Sequence, residues 1–266
     1  MRYFSGGHTA HQWHGLEGIT MLKKIMYEME RPDFQEKNAN EVTVKIHGYL
    51  FSILSPNIAD VLHDDSRPKS YSLQYIKRNS EKTDYLIVNT LDPYAEEIPK
   101  TLERIGFIQV EGARNECIIS KRGEYAADIS EIAAPRNLEA IQLKFLTPAT
   151  HRDGKYVNWM NLDKLLRTVL TKLEEFEGEK ITFRQPLMEQ MKFTDYFLRS
   201  ARYHIGGVVP GVIGHMEISP FEKKGSGELK KLYRVLRYSE YAGIGAKTAL
   251  GMGAVRISAK TEDIGC

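Results

Sequence analysis

Residues 46–76 read IHGYLFSILSPNIADVLHDDSRPKSYSLQYI. Ile46, Leu50, Ile53 and Leu54 recur at helical spacing, which predicts one helix. Ser55-Pro56 then sets an N-cap residue before a proline in the first turn, the pattern that restarts a helix. This second, short helix has Ile58, Val61 and Leu62 as its apolar side and is expected to end near His63. Residues 70–76 follow as a strand. Upstream, Ile25, Tyr27 and Met29 alternate with Met26, Glu28 and Glu30, the period of a half-buried strand. Downstream come a strand over residues 85–89 and a helix striped by Ile98, Leu102 and Ile105. Gly106 is positioned to stop that helix. A strand from Phe107 and extended segments near residues 117–120 complete the order strand, helix, strand, strand, helix, strand, which is the ferredoxin-like order.

The order appears a second time past Ala133-Ala134-Pro135. Ile141, Leu143 and Phe145 alternate as a strand, and Leu162, Leu165, Leu166, Val169, Leu170 and Leu173 stripe a helix with Asn161 as its N-cap. Residues 195–204 and 208–219 read as a strand pair. Leu229, Leu232, Tyr233 and Leu236 stripe a last helix, and a final strand follows. The expected fold is therefore α+β: two tandem ferredoxin-like (RRM-like) domains with antiparallel sheets, over residues 21–135 and 136–266. Residues 1–20 show neither period and are read as an N-terminal extension. Its His8, His11 and His14 would need a helix to act together, and Gly6, Gly7 and Gly15 oppose one.

Composition narrows the function classes. Hydrophobic residues make up 42% of the 266 and charged residues 27%, which suits a folded soluble protein. Two cysteines, Cys117 and Cys266, can build neither a disulfide framework nor a cysteine zinc site, and the expectation is a reducing cytoplasm. No run approaches the roughly 20 apolar residues of a membrane span, so no membrane partner is expected. The net charge is only +2, yet residues 199–260 hold 11 Lys/Arg against 4 Asp/Glu. A basic segment in a nearly neutral chain is the footprint of a phosphate-backbone binder.

Within that segment lies GIGAKTALGMG, residues 243–253. Gly243, Gly245, Gly251 and Gly253 would let backbone N–H groups curl around phosphate oxygens. Lys247 adds a charge and Thr248 a hydroxyl. Arg234 and Arg237 share one face of the preceding helix with Lys230 and extend the candidate RNA-binding set. A nucleotide-binding P-loop is excluded: Ala246 and Tyr241 stand where its two glycines belong, and here a helix precedes and a strand follows. No Cys, His and carboxylate grouping suggests a metal, and no cofactor is implied.

GIGAKTALGMG resembles the signature loop of the CRISPR-associated repeat-processing endoribonucleases of the RAMP superfamily. Residues 46–76 resemble the same family's first helix, the histidine after it and the strand that follows. The resemblance runs from about Leu22 to Ser258. It implies an endoribonuclease that cuts precursor CRISPR RNA within its repeats to release guide RNAs. The family reaction is metal-independent: the ribose 2′-hydroxyl attacks the adjacent phosphorus, leaving a 2′,3′-cyclic phosphate and a 5′-hydroxyl.

By position the family's catalytic histidine falls on His63 and its catalytic lysine on Lys69. A helix C-terminus with Asp64 and Asp65 would favour a charged His63, suited to protonating the leaving 5′-oxygen, with Lys69 stabilising the phosphorane. Some relatives carry a tyrosine in the first helix where this chain has Phe51. His47, four residues earlier on the same helical face, is the alternative proton acceptor. Both a homodimer and membership of a multisubunit interference complex are compatible with the resemblance. The rival reading is a catalytically inactive repeat-RNA-binding RAMP subunit of such a complex.

Overall fold

The computed structural model describes residues 21–33, 39–78, 82–157, 160–221 and 226–262. The extension proposed for residues 1–20, with its three histidines, and Cys266 lie outside them.

The first half runs β1 (Met21–Glu30), α1 (Ala39–Ile53), α2 (Pro56–His63), β2 (Tyr71–Ile76), β3 (Thr83–Thr90), α3 (Glu97–Ile105), β4 (Phe107–Gln109) and β5 (Glu116–Asp128). Its five strands form one antiparallel sheet in the order β2-β3-β1-β5-β4. The alternation read in β1 is the core pattern, with Ile25, Tyr27 and Met29 buried. Gly106 ends α3 in the left-handed region at φ 79°, its N–H donating to the carbonyl of Leu102. Ser55 precedes α2 in extended backbone but its side chain makes no cap hydrogen bond. The start of α2 instead shows in Pro56 and in the Ala59 N–H bonded to the Ser55 carbonyl.

β5 is much longer than residues 117–120. It pairs with β1 from Met21 to Met29, with a register shift between Met26 and Tyr27. A bulge offsets the alternation by one residue, so a strand crossing one loses its sequence period midway.

The second half runs β6 (Leu138–Ala149), a small hairpin of β7 (His151–Asp153) and β8 (Lys155–Val157), α4 (Leu162–Glu177), the short α5 (Leu187–Gln190), β9 (Met191–His204), β10 (Val208–Pro220), α6 (Ser226–Ala242) and β11 (Val255–Thr261). Its four-stranded antiparallel sheet has the order β11-β6-β10-β9. Asn161 caps α4, its side chain accepting from the Lys164 N–H at 3.0 Å. Leu165, Leu166, Val169 and Leu173 are fully buried.

Each half closes its own apolar core. The seam between them is shared: Leu22 and Leu91, from strands and loops of the first half, pack into the second core. Ala249, from the glycine-rich segment, packs into the first with Ile46, Leu50, Leu62 and Tyr71. No helix among the described residues is long and apolar enough to cross a membrane.

Candidate active site

A cleft of about 650 Å³ opens at that seam. His47, His63, Lys69 and Tyr71 line it from the first half, and Arg167, Lys172 and Lys247 from the second. The structure thus brings together His63, Lys69, His47 and the glycine-rich segment, although nearly 200 residues separate His47 from Lys247.

The end of α2 leaves His63 exposed at the cleft wall. Its ring stands edge-on to Phe51, centroids 5.3 Å apart, and Phe51 in turn lies 4.7 Å from the ring of His47. Phe51 is thus an apolar spacer between the two histidines. Lys69 is held on its other side by Asp65, at 3.0 Å, and by the Asp64 carbonyl, also at 3.0 Å. That pairing holds the Asp65 carboxyl below its ordinary range. Arg67 reaches across the seam to Glu175 of α4 at 2.7 Å, so the segment between α2 and β2 is anchored to the second half.

His47 differs from His63 in kind. Burial first, then the charges of His63, Lys69 and Lys247, push its pKa down to about 4. Its Nε2 lies 2.9 Å from the hydroxyl of Tyr71. Burial also raises the Tyr71 phenol, so the pair is a neutral imidazole against a neutral phenol. The sequence reading missed Tyr71; its position at the start of a buried strand marked it only as core.

The glycine-rich segment, expected to cradle phosphate, has glycines with structural duties of their own. The N–H groups of Gly243, Gly245, Gly251 and Gly253 already donate to the carbonyls of Ser239, Leu165, Thr248 and Pro148. All four residues have φ between 71° and 95°. A Cβ on Gly245 would stand 2.2 Å from the Thr150 carbonyl oxygen, and one on Gly253 would stand 2.0 Å from that of Ile244. The glycines serve chain path and close packing. Thr248 is buried at the base of the cleft, its hydroxyl accepting from Lys172 at 3.0 Å. Tyr203 donates to the Leu250 carbonyl at 2.7 Å from one side, while Ala249 enters the first core. The segment is a rivet between the halves.

What it presents to the cleft is Lys247, exposed and in the left-handed region at φ 64°. Among the described residues, the N–H groups of Lys247, Thr248 and Ala249 donate to no backbone carbonyl of the protein.

Arg234 and Arg237 lie outside the cleft lining. Arg234 pairs with Glu179, and Arg237 pairs with Glu240 at 2.7 Å. Lys231 and Lys260 are likewise paired, with Glu228 and Glu217. Four of the eleven basic residues of the basic segment therefore have carboxylate partners among the described residues. His151, His204 and His215 also lie outside the cleft lining.

Gly245→Val is expected to lower unfolding stability by about 2–4 kcal/mol, because the added atoms meet backbone at a left-handed position. Denaturant titration checks this. An unchanged midpoint would mean that the segment relaxes freely and that the glycine there serves a ligand after all.

Two ferredoxin-like units riveted by a glycine-rich turn, with a histidine and several cations facing one cleft, match the arrangement that the resemblance to RAMP-superfamily proteins implies. A family model described as CRISPR-associated endoribonuclease Cas6 matches residues 143–255. A CRISPR-associated endoribonuclease Cas6 of Streptococcus thermophilus is 23% identical over 260 residues, covering 91% of this chain and all of that protein. Among solved structures, a Cas6 product complex superposes with a TM-score of 0.72 at 19% identity, covering 90% of this chain and all of the other. Thermus thermophilus Cas6 gives a TM-score of 0.65 at 18% identity over 91% of this chain and all of its own. The second half of the chain is thus similar to the Cas6 family model, and the whole chain shares the fold of the Cas6 structures. The family-model match spans the glycine-rich segment, whereas His63 and Lys69 fall outside it.

Proposed function

We propose that this protein is an endoribonuclease that cuts precursor CRISPR RNA within its repeats, by metal-independent attack of a ribose 2′-hydroxyl, leaving a 2′,3′-cyclic phosphate and a 5′-hydroxyl. The observation that carries the reading is the convergence of His63, Lys69 and Lys247 on one cleft from the two units 21–135 and 136–266. His63 is the general acid for the leaving 5′-oxygen. Lys69, fixed by Asp65 and the Asp64 carbonyl, stabilises charge on the phosphorane without having to reorganise. The cations of Arg167 and Lys247 hold the backbone on either side. Lys247 supports this in a specific way: a non-glycine residue at positive φ costs of order 1 kcal/mol. A glycine would remove that strain, and with it the exposed ammonium.

His47 is a weak proton acceptor by its low pKa and is occupied by Tyr71. Its place in the reaction is to receive the 2′-hydroxyl proton through that pair or to orient the nucleophile beside Phe51. Among the described residues no three His, Cys, Asp or Glu side chains converge as a metal site, and the 2′-hydroxyl supplies the nucleophile that a metal-bound water would otherwise provide.

Incubating the purified protein with the repeat RNA in excess EDTA, then mapping the product ends, is expected to give a single cut bearing the stated termini. Activity lost in EDTA and restored by one divalent ion would overturn the metal-independent mechanism. Tight binding without any cut would favour the inactive RNA-holding subunit.

A further inference from the structure

Lys172 is the one charged residue on the buried stripe of α4, and it is 4% exposed. Its ammonium donates to the Ala242 carbonyl at 2.7 Å and to the Thr248 hydroxyl at 3.0 Å. The first bond holds the last carbonyl of α6, and the second holds the turn that carries Lys247. Both acceptors are neutral. Among the described residues no carboxylate pairs with this ammonium, which has three N–H donors and spends two. Burying an uncompensated cation is expensive, and such groups normally carry a counter-charge. Lys172 also belongs to the lining of the cleft.

We propose that Lys172 is a further RNA-binding residue, a buried cation at the floor of the cleft whose counter-ion is a backbone phosphate of the bound repeat. The inference rests on the functional reading above and adds a binding partner to it. Geometry gives the direction of the coupling. In the free protein the ammonium braces the glycine-rich turn; when a phosphate enters, the third donor and the unbalanced charge find a partner, and brace and ligand reinforce one another.

The electrostatics agree. Burial alone pushes the Lys172 pKa down to about 7. The charged and titratable groups lining the cleft around it are Arg167 of α4, Lys247 of the turn, His47 of α1, His63, Asp65, Arg67 and Lys69 of α2 and its connection to β2, and the neutral phenol of Tyr71 of β2. They are mostly cations, and the carboxylate among them is held by Lys69. An arriving phosphate therefore raises the Lys172 pKa, and binding takes up a proton when the pH lies above the free-state value. Affinity falls as pH rises from neutrality.

Isothermal titration calorimetry with a 2′-deoxy repeat analogue, at about pH 8 in two buffers of different ionisation enthalpy, reads this proton directly. The wild type is expected to take up a proton on binding. Lys172→Met is expected to lose that uptake and to bind about 10-fold or more weakly, the effect of removing a charge-assisted hydrogen bond. Lys172→Arg, permanently charged, is expected to hold affinity constant between neutrality and pH 8 while losing the uptake.

A folded Lys172→Met protein with wild-type affinity and wild-type proton uptake would overturn the inference. If that variant does not fold, the arginine variant decides: a pH dependence unchanged from wild type overturns it. Cleavage by the wild type distinguishes the two levels. A protein that cuts the repeat but shows none of these Lys172 effects fails here alone. One that neither binds nor cuts removes the functional reading and this inference with it.

Discussion

His63→Ala is expected to slow repeat cleavage by roughly 10² to 10⁴-fold while leaving repeat affinity nearly unchanged, the usual contribution of a positioned acid or base. The side chain is exposed at the end of α2 and makes no hydrogen bond that holds the fold among the described residues; its neighbour is the edge of Phe51 at 5.3 Å. Its removal leaves neither a large cavity nor an orphaned partner. In the proposed reading affinity is spread over the cations that line the cleft, Lys69, Arg167, Lys172 and Lys247, so the loss falls on the chemical step. Single-turnover rates and a separate binding titration make the distinction.

His47→Ala is the paired control. Its imidazole is neutral at ordinary pH and tied to Tyr71, so a smaller rate effect is expected, about 10-fold, together with some loss of stability from the half-buried ring. If His63→Ala cuts normally and His47→Ala does not, the acid has been assigned to the wrong histidine. If neither is slow, the catalytic assignment fails.

The fold was legible because its signals are periodic. The helical spacing from Ile46 to Leu54, the stripe of α4 and the alternation in β1 and β6 depend only on which face is buried, and each half shows the same order. β5 was legible only over residues 117–120, because its bulge against β1 breaks the alternation at the point where polar residues begin.

The site was legible in part. His63 and Lys69 stand beside recognisable capping and strand signals, but the meaning of the glycines was not readable. Density of glycine signals backbone freedom, and that freedom serves either a ligand or close packing; the bonds to Leu165 and Pro148 assign it to packing. Arg234 and Arg237 read as a basic face because helical spacing shows which cations share a side and not which carboxylates pair with them. Glu240, three residues past Arg237 on the same helix, was visible in the sequence, whereas Glu179 reaches Arg234 only through the fold. Lys172 had a signal too: it lies three residues past Val169 and seven past Leu165, so the stripe itself buries it. A charge on a buried stripe is a question about its partner, and here the candidate partner is an RNA phosphate absent from the chain.

A repeat RNA with a single 2′-deoxy sugar immediately upstream of the mapped cut is expected to bind as tightly as the ribose form and to resist cleavage completely within the assay. The reasoning turns on which group is the nucleophile. In the proposed reaction the 2′-oxygen forms the new bond to phosphorus as the bond to the 5′-oxygen breaks, so deleting that oxygen removes a reactant, whereas every other variant removes only assistance. The penalty is therefore larger than that of losing His63. Binding is preserved because the cations that hold the strand address phosphates, not sugars. A deoxy substrate cut at the same bond would mean that water attacks instead. His63 would then have to serve a hydrolytic mechanism, and the products would lack a cyclic phosphate. Resistance with wild-type affinity, together with cyclic phosphate ends on the ribose substrate, is the pair of results that the cleft of His63, Lys69 and Lys247 requires.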